Sequence, residues 1–373
     1  MRLLRHVIVV ALVTLGSKAL PETGYYFQSA AGHLNLMRRT VPIHELLSRD
    51  DIPRELKRRL QLVLELREFA SRALALPRND SYLSYADVGR DYVVWNVYAT
   101  PELSLKPLSY CYPVAGCVVY RGYFSKNDAR AYAQKLHDLG YDVTVNGAVA
   151  YSTLRWFDDP VLSTMVDGDD THLATVILHE LAHQKLYVQN DTAFNEAFAN
   201  TVAREGLRRW LLYKNINKGD GPQGDLRRRR RQEFIILVLH AQAKLDTLYS
   251  APVSDARKRT GKAAILSDLR HEYELWKQRW SGSNAYDEWM LNVDNAKIAA
   301  VSTYHDLERA FEAVLQSVSH HLPSFFNTVS RLGKLPPQTR ADCLAQVTEF
   351  GGEVVFACLR NSSQRSPSHL ARR

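Results

Sequence analysis

Cysteine is scarce in this 373-residue chain: Cys111, Cys117, Cys343 and Cys358 are the whole set. No Cys-x-x-Cys occurs among them, so neither a cysteine-built structural zinc site nor a thioredoxin-type motif has support. None precedes Cys111, and a lipid-modified mature N-terminus is therefore not expected. There are no internal repeats. Basic and aromatic residues are not interleaved in the manner of single-stranded nucleic-acid surfaces, and nucleic acid is not an expected partner. The apolar stretch Val7 to Leu15 is too short to span a bilayer.

What is present is ordinary for a globular protein, with 46% apolar and 24% charged residues, so general disorder is not expected. The length suffices for a sizeable core. The net charge of +8 is concentrated in Arg227 to Arg231 and the arginine-containing tail, leaving the remainder close to balance. Arg2 and Arg5 before the short apolar stretch, then Ser17-Lys18-Ala19, read as an export signal or an N-terminal anchor over residues 1–19. In an exported, periplasmic or cell-envelope protein, an even set of cysteines permits disulfides. Cys111 with Cys117 and Cys343 with Cys358 is the expected pairing, with four free thiols as the alternative.

The chemistry centres on His179-Glu180-Leu181-Ala182-His183, then, after twelve intervening residues, Glu196. Residues four apart lie on one helix face, so His179 and His183 can grip one metal ion. Glu180 is rotated about 100° away and can lie beside a metal-activated water. This is the H-E-x-x-H arrangement of zinc peptidases. Chance alone produces it in roughly 2% of chains of this composition, so its context matters. Asp169, Asp170 and Thr171 supply an N-cap, and Leu173, Val176, Ile177 and Leu181 an apolar face. A second helix starting near Asp191 carries Glu196, and Gln184 to Asn190 can turn the chain back to bring it in as third ligand. The bland alternative is two ordinary helix histidines with a surface glutamate.

Tyr25 to Leu76 reads as helical, broken at Pro42 and Pro53. Strands are expected at Tyr92 to Tyr98, Gly116 to Tyr120, Tyr141 to Val145 and Gly147 to Leu154, with a helix from Asn127 to Leu139 capped by Ser125. Two long helices, about Asp225 to Tyr249 and Ser254 to Trp280, read as a hairpin, followed by a last long helix, Leu307 to Val318. Arg227 to Arg231 oppose the dipole of the helix they begin. They form either a solvated face or a peripheral attachment to an anionic membrane or cell-wall polymer. Beyond Asn361 the tail is polar, basic and expected to be disordered.

Several stretches together resemble the predicted aminopeptidase family of bacterial envelope zinc metalloproteins, which are usually lipoproteins. They are Tyr25-Tyr26-Phe27-Gln28, Gly116-Cys117-Val118-Val119-Tyr120-Arg121-Gly122-Tyr123-Phe124, Ala150-Tyr151-Ser152-Thr153-Leu154-Arg155-Trp156-Phe157, the His179–Glu196 core, and Asn295-Ala296-Lys297 through Thr303-Tyr304. The resemblance implies an α+β, predominantly helical, zincin-like metallopeptidase with a small upstream sheet and a helical C-terminal part, acting on peptides outside the cytoplasm. Its single domain is expected over residues 22–360: a helical part (22–76), an α/β part (80–165), the zinc-binding helices (166–212) and a second helical part (225–335). One Zn2+ is expected on His179, His183 and Glu196, with Glu180 as general base. Tyr304 is the candidate oxyanion donor and His305 the runner-up. Asn195 is a candidate for orienting a ligand.

Two departures stand out: the lipobox cysteine is missing, and Arg155 stands where the family has glycine. Well-known zinc aminopeptidases hold the substrate ammonium with the Glu of a Gly-Ala-x-Glu-Asn strand. Here Gly147-Ala148-Val149-Ala150-Tyr151 places alanine there, and Asp158 and Asp159 are the substitutes to examine. Gly147 to Ser152 is also the candidate edge strand for pairing with an extended peptide. An endopeptidase and a non-catalytic zinc-containing binding protein remain as alternatives.

Overall fold

The computed structural model describes residues 23–112, 116–154, 156–216 and 221–364. The expected export segment, Arg155 and residues 365–373 of the tail lie outside these. The chain opens with α1 (Thr23–Arg38), β1 (Val41–Pro42), α2 (Ile43–Ser48) and α3 (Arg54–Ala73). Pro42 and Pro53 occupy the N-cap positions of α2 and α3, where a missing N–H costs nothing.

The upstream sheets are small. β2 (Ser84–Ala86) pairs antiparallel with β1, and β3 (Val94–Pro101) is the central strand of a separate three-stranded sheet. Then come the hairpin β4 (Tyr110–Tyr112) and β5 (Gly116–Val118), β6 (Arg121–Tyr123), α4 (Lys126–Asp138) and β7 (Tyr141–Ala148). β6 and β7 flank β3, both antiparallel. Ser125 caps α4 by accepting from the Asp128 amide, and Gly140, at φ +84, lets the chain leave the helix.

One expected strand is absent. Gly147 and Ala148 end β7, but the described residues among 149–160 form no strand. The buried Asp159 carboxylate gathers the Ser152 hydroxyl and the Thr153 amide and hydroxyl, and Leu154 sits at φ +51. These bonds fold the segment back on itself, so it cannot extend a ladder. β8 (Val161–Leu162) then joins β2 in parallel.

After the short α5 (Ser163–Val166) come α6 (Asp170–Lys185) and α7 (Thr192–Tyr213), the two helices that carry the candidate metal ligands. Their facing sides bury Leu173, Ile177, Leu178, Leu181, Phe194, Phe198 and Val202 in the largest core, completed by α3 and the C-terminal helices. α8 (Gly221–Ser250) and α9 (Asp255–Arg279) form the expected hairpin around Leu237, Leu245, Leu269 and Tyr273. Of the arginine run, Arg227 meets Asp169 at 3.4 Å and Arg230 donates to the Trp280 carbonyl at 2.6 Å. Among the described residues, no helix is long and apolar enough to cross a membrane.

The chain ends with α10 (Asp287–Leu291), α11 (Asn295–His305), α12 (Glu308–Ser317), α13 (Leu322–Gly333), α14 (Pro337–Phe350) and α15 (Val354–Gln364). The last three lie beyond the last helix read from the sequence, and α15 reaches into the tail expected to be disordered. Disulfides join Cys111 to Cys117 and Cys343 to Cys358. The protein is thus α+β and predominantly helical.

Candidate metal centre

α6 begins where its carboxylates allow it. Asp169 accepts from the His172 amide, which satisfies one orphan donor, and Asp170 favours the positive helix end. Two turns further, His179 and His183 point the same way, with their Nε2 atoms 3.0 Å apart. α7 starts on Asp191, which accepts from the Phe194 amide, and brings Glu196 back over the pair. Glu196 Oε2 lies 3.3 Å from His179 Nε2 and 3.7 Å from His183 Nε2.

The turn between these helices is built rather than loose. Asn195 donates to the Val188 carbonyl and accepts from the Val188 amide, each at 2.8 Å. Both ends of its carboxamide are thus engaged by the loop, so Asn195 shapes the turn that carries Glu196 and bonds no candidate ligand itself. Arg340 of α14, itself buried, grips Asp191 at 2.8 Å and fixes the start of α7 from outside.

Donor atoms on a tetrahedral ion with bonds of about 2.0–2.1 Å lie about 3.3 Å from one another. The three separations here bracket that value. Glu196 Oε2 is buried without a hydrogen-bond partner among the described residues, which a bound cation would satisfy. His179, His183 and Glu196 can therefore hold a metal ion, and two imidazoles with one carboxylate is a zinc-type donor set that leaves a fourth position open. Burial would raise the Glu196 carboxyl, but the His183 and His179 imidazoles outweigh it and hold it down to about 2. Burial lowers His179, yet the adjacent Glu196 carboxylate leaves it above the usual imidazole value.

Asn200 lies one turn beyond Glu196 on the same face of α7, an electrostatic neighbour of His179. The Asn200 amide nitrogen in turn donates to the Tyr304 carbonyl and to Glu308, each at 3.0 Å. The Glu196-x-x-x-Asn200 spacing puts Asn200 on the ligand face of α7, and that signal was in the sequence.

A family model described as "Putative aminopeptidase" matches residues 24–344. The chain belongs to this family. No curated protein and no solved structure matches it significantly.

The remaining site residues of this aminopeptidase-family chain fall into place unevenly. Tyr304 lies on α11 with its hydroxyl 3.2 Å from that of the buried Tyr98 on β3. Burial, then Tyr98 and the Glu196 charge, push the Tyr304 phenol well above its ordinary value, so it stays protonated. His305 is turned to Glu308 at 2.8 Å, away from the oxyanion role considered for it. Glu180 stands next to His179 with Tyr82, Tyr120 and Asp159 as electrostatic neighbours. Asp159 is buried and engaged by the 152–153 loop, while Asp158 is exposed. Burial, opposed by the Thr153 bonds, raises the Asp159 carboxyl to about 6. Neither aspartate is arranged like the missing strand glutamate.

Proposed function

We propose that this protein is a zinc-dependent aminopeptidase of the cell envelope. The observation that carries the reading is the mutual spacing of His179, His183 and Glu196, within 3.0 to 3.7 Å, in a chain of an aminopeptidase family. His179, His183 and Glu196 would hold the zinc, which would supply Lewis acidity toward the scissile carbonyl and the attacking water. Glu180 takes the proton of the attacking water and delivers it to the leaving amine nitrogen. Tyr304, held by Tyr98 and kept protonated, donates to the oxygen that becomes negative.

An envelope location is supported by the apolar N-terminal stretch and by the engagement of all four cysteines in disulfides. One observation favours endopeptidase activity as the second reading. Asp159, the substitute for the missing ammonium-binding glutamate, already serves the Ser152–Thr153 loop.

The test is hydrolysis of a panel of free-amine and blocked peptides by the zinc-loaded protein and its Glu180→Gln variant. Free-amine peptides should be cleaved, and the variant should keep zinc while losing about 10² to 10⁴ in rate. Cleavage of blocked peptides alone would transfer the assignment to the endopeptidase. Bound zinc without any Glu180-dependent cleavage would remove the peptidase reading.

A further inference from the structure

Tyr120 belongs to the Val118-Val119-Tyr120-Arg121-Gly122-Tyr123 stretch, to which the zinc chemistry assigns no role. The strand register brings it to the site. β3 and β6 pair Trp95 with Tyr123 and Val97 with Arg121. Trp95, Val97 and Tyr123 face the core under α4, together with Ala129 and Leu136. Side chains alternate along a strand, so Tyr98 projects to the opposite face, and Tyr120 lies in the bend just before β6. That is the face where Tyr98 meets Tyr304 of α11. The Tyr98 and Tyr120 rings pack with centroids 5.3 Å apart.

The hydroxyls of these phenols differ. Tyr98 and Tyr304 bond each other, whereas among the described residues no group hydrogen-bonds the Tyr120 hydroxyl. Tyr120 is only partly buried, so its hydroxyl is not sealed in the core. Burial, the Tyr98 phenol and the nearby charges of Glu196 and Glu180 hold it protonated, leaving a donor without an acceptor. Its two carboxylate neighbours are the third candidate ligand and the candidate base. Its ring contact with Tyr98, whose hydroxyl meets that of Tyr304, sets it on the side of the site where Tyr304 lies.

We propose that Tyr120 is a catalytic residue, a second phenol that donates to the developing oxyanion alongside Tyr304, from the sheet side of the cleft. The assignment rests on the peptidase reading above. Its chemistry is a hydrogen bond that strengthens as the carbonyl oxygen gains charge, so it acts on the transition state more than on substrate binding. Tyr98 is a positioning residue in this scheme: it packs on one phenol and bonds the other.

The experiment compares zinc-loaded wild type, Tyr120→Phe and Tyr304→Phe for zinc content, thermal midpoint, kcat and KM. Calorimetric affinity for a phosphinic peptide, a tetrahedral anion mimicking the intermediate, is measured in parallel. Phenylalanine preserves the ring contact with Tyr98. Tyr120→Phe should keep its zinc and midpoint, lose about 10² or more in kcat with little change in KM, and bind the phosphinic peptide at least about tenfold more weakly. Turnover and analogue affinity within about twofold of wild type would overturn the assignment, as would loss of zinc or of the folding transition. Wild type that loads zinc but neither cleaves nor binds the analogue would remove the peptidase reading, and this assignment with it. That failure is visible before any substitution is made.

Discussion

Asn195 and Val188 close the turn between α6 and α7 with a reciprocal pair of 2.8 Å hydrogen bonds. The carboxamide reads both backbone groups of Val188, as a neighbouring strand would, and it does so from a buried position. This holds the first turn of α7 at the distance that puts Glu196 between the two histidines.

Asn195→Ala should therefore do more than lower stability. Leaving the half-buried Val188 groups unpaired should cost about 1–3 kcal/mol in urea unfolding. Zinc affinity should fall as well, because Glu196 is carried on the same turn. Unchanged zinc affinity in a folded variant would show that the turn does not set the ligand geometry.

Metal removal should cost stability on its own. A ligand bound to the folded state alone stabilises by RT ln(1 + [L]/Kd), about 4 kcal/mol at a thousandfold excess over Kd. Chelation should accordingly lower the thermal midpoint of wild type and leave that of His183→Ala unmoved. Zinc affinity should also fall as pH drops through the imidazole range, because protonated imidazoles cannot coordinate. Calorimetry near pH 6 and near pH 7.5 checks the sign.

Glu205 of α7 gives a separate pH signature. Burial would raise its carboxyl, but hydrogen bonds from Arg208 and Arg209, 2.7 Å each, hold it down to about 2. Its folded value lies below its unfolded one, so the stabilisation is present above the unfolded value and is lost as pH falls toward 2. Arg208 is half exposed and screened by water, which limits the contribution to about 1–2 kcal/mol. Glu205→Gln should be less stable than wild type by that amount at pH 7, and the difference should close between about pH 5 and pH 2. A difference independent of pH would rule out the ion pairs as its source.

Gly352, just before α15, has no room for a side chain. A Cβ there would fall 1.9 Å from the Ala313 carbonyl oxygen, which is backbone and cannot rotate aside. Gly352→Ala should cost about 1–3 kcal/mol, measured by denaturant midpoint, with catalytic rate per folded molecule unchanged. A neutral effect would mean that α12 and α15 do not approach so closely.

The features legible in the sequence are those set by neighbours along the chain. Asp169 and Ser125 announced helix starts because a capping side chain reaches only its own first turn. His179 and His183 announced a shared ligand face because helical spacing fixes it. Pro42 and Pro53 announced breaks for the same local reason. The Gly147–Leu154 strand was misread because its fate depends on Asp159, which lies beyond the segment and withdraws Ser152 and Thr153 from any ladder.

The sequence by itself thus determined the helix that presents two imidazoles and a carboxylate, and the capped helix that brings a third ligand. What only the tertiary structure decided is what surrounds them. Tyr98, Tyr120 and Tyr304 come from a strand, the bend before another and a helix, joined by a ring contact and by a hydroxyl contact across 206 residues. No periodicity records a contact of that range, because the sheet and α11 meet through burial, which is non-directional and leaves no spacing in the chain.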